Sequence, residues 1–240
     1  MARFVLVHGS WHGAWCWSEI EARLRAKGHE TEAFDLPGHG EDRTPVETVR
    51  FQDYVDRTIE AIRAAPEAPI LVGHSMGGAI ISQAAERVPG CLRALVCLAA
   101  LVPPDGSSMM QIVEQFDPAY LASIEWSADR RTVWLSPENA GVYFYGQCPP
   151  AAVALAVARH KPEPVAPYEA PLALTGANFG SVPRYYIECL RDRAVPIAVQ
   201  RAMRSAVPFE HILTLDAGHS PFYSMPDELA AILHGIAERA

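Results

Sequence analysis

Short apolar runs recur along the chain, at residues 4–7, 31–34, 70–72, 94–98, 185–188 and 212–215. They are continuous rather than alternating, the pattern of strands in a parallel sheet that is covered on both faces. Helical patterns fill the intervals. Residues 16–27 end at Gly28, residues 51–64 stop before Pro66, and residues 226–240 close the chain. Alternation of this kind predicts a doubly wound, mostly parallel sheet of about six strands.

Residues 103–183 break the rhythm. They hold 11 of the 20 prolines and a dense set of aromatics: Phe116, Tyr120, Trp126, Trp134, Tyr143, Phe144 and Tyr145. Three helix-like pieces stand out, at 109–115, 137–145 and 151–159. The expectation is a core formed by residues 1–102 and 184–240, with 103–183 inserted as a helical cap whose apolar side roofs a pocket. The aromatic content argues against a disordered insertion.

Composition narrows the class of partner. A chain of 240 residues, half of them hydrophobic, can bury a substantial core. The net charge of -8, with no Lys/Arg run, argues against nucleic acid or an anionic membrane surface. The strand pattern begins three residues after Met1, leaving no room for a signal peptide, and the longest strongly apolar stretch, 94–102, is far shorter than the ~20 residues of a membrane span. Cys16, Cys91, Cys97, Cys148 and Cys189 are odd in number and show no CxxC spacing. They read as buried thiols of a cytoplasmic protein rather than as a disulfide framework or metal site. A small molecule is the expected partner, with a homodimer allowed.

The candidate chemistry begins at Ile70-Leu71-Val72-Gly73-His74-Ser75-Met76-Gly77-Gly78, where an apolar run ends in Gly-x-Ser-x-Gly. A small-residue helical segment, 79–85, follows at once. This strand–turn–helix context is that of a nucleophile elbow, which lifts a serine hydroxyl clear of the sheet. A serine nucleophile needs a base, and the base needs an acid to fix its tautomer, in the chain order Ser, Asp/Glu, His. His219 follows the last strand and Asp192 the preceding one, both at the carboxyl edge that carries Ser75. Asp105 is the rival acid. Asp216 lies too close to His219 in sequence to orient it, and His74 is expected to point away from Ser75. The oxyanion hole is assigned to the Met76 amide and to that of Ser10, in the loop after the first strand. The expected pocket residues are Trp11, Met76, Leu101 and Phe144, with Trp126 and Trp134 as the two cap candidates.

The first loop, Val5-Leu6-Val7-His8-Gly9-Ser10-Trp11-His12-Gly13-Ala14-Trp15-Cys16-Trp17, resembles that of the plant methylesterase and hydroxynitrile lyase group of α/β-hydrolases. Phe34-Asp35-Leu36-Pro37-Gly38-His39-Gly40, the elbow, residues 192–196 and Gly218-His219 match the same pattern. The resemblance spans nearly the whole chain and is weakest in the cap. It implies an α/β-hydrolase fold, no cofactor and no metal, and a buried apolar pocket. The lyases of this group carry a lysine directly after the catalytic histidine, where this chain has Ser220. Some replace the glycine kept here as Gly9. Both departures favour a serine carboxylic ester hydrolase acting on small-to-medium apolar or aromatic esters. Hydroxynitrile lyase, cofactor-free perhydrolase, lactone or amide hydrolase, and hydrolase-fold ligand receptor are the alternatives.

Overall fold

The computed structural model describes residues 1–240. Its first half alternates β1 (Arg3–Val7), α1 (Ser18–Ala26), β2 (Glu30–Ala33), α2 (Phe51–Ala64), β3 (Ile70–His74), α3 (Gly77–Arg87) and β4 (Ala94–Leu98). An insertion follows, with α4 (Met109–Val113), α5 (Pro118–Ala122), β5 (Ile124–Trp126), β6 (Thr132–Leu135), α6 (Pro137–Tyr143), α7 (Pro150–Val157), β7 (Glu163–Pro164) and α8 (Ala166–Glu169). The chain then ends with β8 (Arg184–Cys189), α9 (Ile197–Ala206), β9 (His211–Leu215), α10 (Pro221–Ser224) and α11 (Pro226–Arg239).

The six long strands form one parallel sheet in the order β2-β1-β3-β4-β8-β9. The central strands β3 and β4 are buried along their whole length, because helices cover both faces and no polar side chain has to reach solvent. The outer strands depart from the expected pattern. β2 is half-buried, and Ile212 of β9 is 43 % exposed. An edge strand has one neighbour and thinner helical cover, so its apolar run was a poor guide to burial.

Helix α2 shows how the local sequence specifies its element. Phe51, Tyr54, Val55, Thr58, Ile59 and Ile62 recur at helical spacing and are all buried. Asp53 accepts the Arg50 N–H at 2.7 Å and closes the first turn. One sheet face packs on α1 and α11 through Trp17, Ile20 and Leu233. The opposite face forms one apolar cluster that includes α2, α3 and the insertion, so Tyr120 and Phe144 are continuous with the sheet core. Burial of a side chain such as Phe144 stabilises that junction by about 1.5–3 kcal/mol.

The insertion is not purely helical as expected. The three helices are shorter than the sequence suggested, and β5, β6 and β7 form a small antiparallel sheet. No helix is long and apolar enough to cross a membrane.

Candidate active site

Ser75 sits between β3 and α3 with φ +54°, in the left-handed region that a side chain rarely adopts. Three backbone bonds hold it there: Ser75 N–H to Leu98 O at 3.2 Å, and the Leu101 and Gly78 amides to Ser75 O at 2.9 and 3.0 Å. Such over-determination is what allows a strain of about 1–3 kcal/mol to persist. A Cβ on Gly73 would stand 2.5 Å from Gly77 O, and one on Gly77 2.9 Å from Val7 O. Only glycine fits on either side of the serine.

Asp192 follows β8 in a turn of its own making. Oδ1 accepts the Ala194 and Val195 amides, both at 2.8 Å. Oδ2 accepts Gln200 Nε2 at 3.3 Å and His219 Nδ1 at 2.7 Å. The rival acids are engaged elsewhere. Asp105 accepts the Leu174 amide at 2.8 Å, and Asp216 forms an exposed pair with Arg191. His74 donates Nε2–H to the His219 carbonyl at 2.8 Å and so steadies the loop that carries the candidate base.

His219 and Ser75 border the same cavity without a hydrogen bond between them. Nucleophile–base pairs are often loose in free enzymes and tighten once substrate is bound. The Ser10 and Met76 amides donate to no other protein atom. Ser10 also borders the cavity, whose volume is about 280 Å³. That is roughly twice the ~150 Å³ that holds a benzene molecule in an engineered apolar cavity, so a single ring with a short ester arm fits.

Of the residues assigned to the pocket, Trp11, Leu101, Trp126 and Phe144 line this cavity and Trp134 does not. Trp126 pairs in register with Val133, which lines the cavity, whereas Trp134 is the next residue and faces the other side of the small sheet. Met76 is fully buried and is absent from the lining. Sequence reading missed His12, Tyr120, Glu163 and Tyr168, all of which border the cavity. Glu163 sits alone between Pro162 and Pro164, and its partner His39 is 124 residues away, so no local pattern signalled the pair.

Several histidines are buried as neutral rings. Burial, followed by the nearby His39, pushes His8 down to about 3, and burial pushes His160 down to about 4. Burial also holds His12 and His74 well below the usual value, His12 beside His160 and His74 beside His219. His8 donates Nδ1–H to Gly9 O at 2.8 Å and accepts the Leu36 N–H at 3.1 Å, so the neutral ring is fully used. Below pH 6.5 the unfolded chain takes up protons that these folded rings refuse. Each such ring therefore costs up to about 1.4 kcal/mol of stability per pH unit as pH falls towards its folded value. His39 works in the opposite sense. Burial alone would lower it, but Glu163 at 2.9 Å outweighs burial and raises it. Its contribution is complete below pH 6.5 and is lost as pH rises through the raised value. Between pH 6.5 and 4.5 the His39 contribution is constant while the lowered rings, His29 among them, each cost stability, so the melting temperature is expected to fall continuously over that window. A flat thermal-melting profile over that window would contradict the neutral, buried state of these rings.

No group of three or more His, Cys, Asp or Glu side chains is placed to share a metal ion. The profile of the alpha/beta hydrolase family matches residues 4–232. The chain is 33 % identical over 251 residues to methylesterase 7 of Arabidopsis thaliana, a match covering 99 % of this chain and 96 % of that protein. It is 35 % identical over 247 residues to the putative chloroplastic methylesterase 11 of the same plant, covering 98 % of this chain but 63 % of that longer protein. Among solved structures, the methylesterase protein MES16 from Arabidopsis gives a TM-score of 0.89 at 26 % identity, with both chains covered over 100 % of their length.

Proposed function

The chain belongs to the alpha/beta hydrolase family and is a carboxylic ester hydrolase, and on that premise we propose that Ser75, His219 and Asp192 are its nucleophile, base and orienting acid. The observation that carries this reading is a strained serine on the wall of the cavity that His219 also borders, with His219 Nδ1 held 2.7 Å from Asp192.

In the proposed sequence His219 Nε2 accepts the Ser75 proton as Oγ attacks the ester carbonyl. The Ser10 and Met76 amides receive the oxyanion beside a mainly apolar cavity wall, where a hydrogen bond is stronger than in bulk water. His219 returns the proton to the departing alkoxide, and the alcohol leaves. Water, deprotonated by the same ring, then releases the acid from Ser75. Asp192 keeps the Nε2 lone pair turned towards Ser75 and balances the imidazolium. Residues 103–183 act as the cap that closes the cavity. The apolar lining and the 280 Å³ volume suit small-to-medium aromatic or apolar esters, and methyl esters fit the names of the relatives.

Departure of cyanide needs a cation close to the base. The residue after His219 is Ser220, buried and with Oγ unpartnered. A threonine in place of Gly9 also has no room, because its Cβ would lie 2.8 Å from Ser75 Cβ. The purified protein is therefore expected to hydrolyse p-nitrophenyl and aryl methyl esters and to release no cyanide from mandelonitrile above background. Efficient cleavage of mandelonitrile would overturn the esterase reading in favour of a lyase.

A further inference from the structure

Residues 9–12 form the loop that carries the Ser10 amide, and their conformation is costly. Trp11 has φ +59°, a left-handed backbone for a bulky residue. Within the loop the one backbone bond is long, His12 N–H to Gly9 O at 3.4 Å. The other constraints come from the insertion or depend on it. Trp11 N–H donates to Glu163 Oε2 at 2.8 Å, and Trp11 Nε1–H to Val133 O at 3.3 Å. Ser10 Oγ pairs with Tyr168 Oη.

The peptide between Ser10 and Trp11 is pinned at both ends. Glu163 takes its N–H. Its carbonyl accepts His12 Nδ1–H at 2.7 Å, and Tyr145 Oη in turn donates to His12 Nε2 at 2.7 Å. A peptide plane fixed in this way fixes Ser10 ψ, and with it the direction of the preceding Ser10 N–H. Glu163 is the one charged group among these contacts and the one that grips the backbone from the insertion. It is fully buried, Oε2 also accepts His39 Nε2–H at 2.9 Å, and Oε1 has no partner. A buried ion pair contributes little net stability compared with apolar side chains of the same volume. What Glu163 adds that an apolar residue could not is the orientation of an amide.

We propose that Glu163 is a positioning residue, which holds the Trp11 amide and thereby aims the Ser10 N–H at the developing oxyanion. This inference rests on the serine esterase reading above. A displacement of about 1 Å in such a donor is enough to cost on the order of 10²-fold in rate, and the loss falls on the transition state rather than on substrate binding.

The test compares Glu163→Met, Glu163→Gln and Glu163→Asp by steady-state kinetics on an aryl ester. Affinity for an alkylboronic acid, which forms a tetrahedral adduct on the serine, is measured in parallel. Glu163→Met fills the same volume with no acceptor. It is expected to lower kcat by about 10–100-fold, to leave KM within about threefold, and to weaken boronic acid binding in step with kcat. Glu163→Gln keeps an oxygen for the Trp11 N–H and should hold kcat within about fivefold of the parent. Glu163→Asp withdraws the carboxylate by one methylene while keeping its charge and should lower kcat by about tenfold. Equal activity of the Met and Gln variants, or a rise in KM matching the fall in kcat, would overturn the proposal. If the Met variant does not fold, the Asp variant decides, and parental kcat in it would overturn the proposal. Labelling by a fluorophosphonate separates the two readings. A parent protein that takes no label at Ser75 defeats the esterase mechanism and this proposal with it. Label at Ser75 with kinetics insensitive to Glu163 defeats this proposal alone.

Discussion

Ser75→Ala is expected to lower kcat for ester hydrolysis by about 10⁴–10⁶-fold while leaving the fold intact. The size of the loss follows from removing the atom that forms the acyl bond, since the remaining amides and cavity can bind and polarise an ester but cannot be acylated. The fold should survive because Ser75 is held by its backbone, through Leu98, Leu101 and Gly78, and its hydroxyl makes no protein hydrogen bond. Alanine at φ +54° bears the same strain as serine, so the melting temperature should change little. An alanine variant with unimpaired turnover would remove Ser75 from the mechanism.

Asp192→Asn should lower kcat by up to about 10⁴-fold. An asparagine keeps an oxygen for the Ala194 and Val195 amides, and its NH₂ then faces His219 Nδ1 and Gln200 Nε2. A donor opposite Nδ1 forces the imidazole into the tautomer protonated at Nε2, where the lone pair for the Ser75 proton is needed. Asp105→Asn serves as the control. Its oxygen can still accept the Leu174 amide, and nothing links it to His219, so kcat should stay within about threefold of the parent. Kinetics on both variants with one aryl ester decides the matter. The opposite ranking would transfer the orienting role to Asp105.

The parts that could be read from the sequence are those specified locally. The elbow announces itself because Gly73 and Gly77 are sterically required within two residues of Ser75. The central strands were readable because burial on both faces leaves continuous apolar runs. The positions of Asp192 and His219, each just beyond a strand at the same sheet edge, brought them together once the strands were correctly placed.

What escaped depends on register and on distant pairing. Trp126 and Trp134 are equally aromatic, and which one faces the cavity is set by the pairing of Trp126 with Val133. A slip of one residue would bring both onto the same face, and strands of three and four residues carry too short a pattern to fix the register. The partner strand Glu163–Pro164 has two residues, one a proline, and gives no strand signal of its own. Its carboxylate is defined by His39 and the Trp11 amide, from two separate loops of the core. Long-range polar pairing of this kind has no periodicity to detect.

The most direct test is rapid-quench mass spectrometry of the protein with an excess of a p-nitrophenyl ester, followed by peptide mapping. The expected result is a transient increase equal to the mass of the acyl group, confined to the peptide carrying Ser75, rising with p-nitrophenol release and decaying as the substrate is exhausted. Ser75→Ala should show none of it. Acylation of a different residue, or rapid turnover that continues in the alanine variant with no adduct at position 75, would contradict a serine acyl-enzyme mechanism.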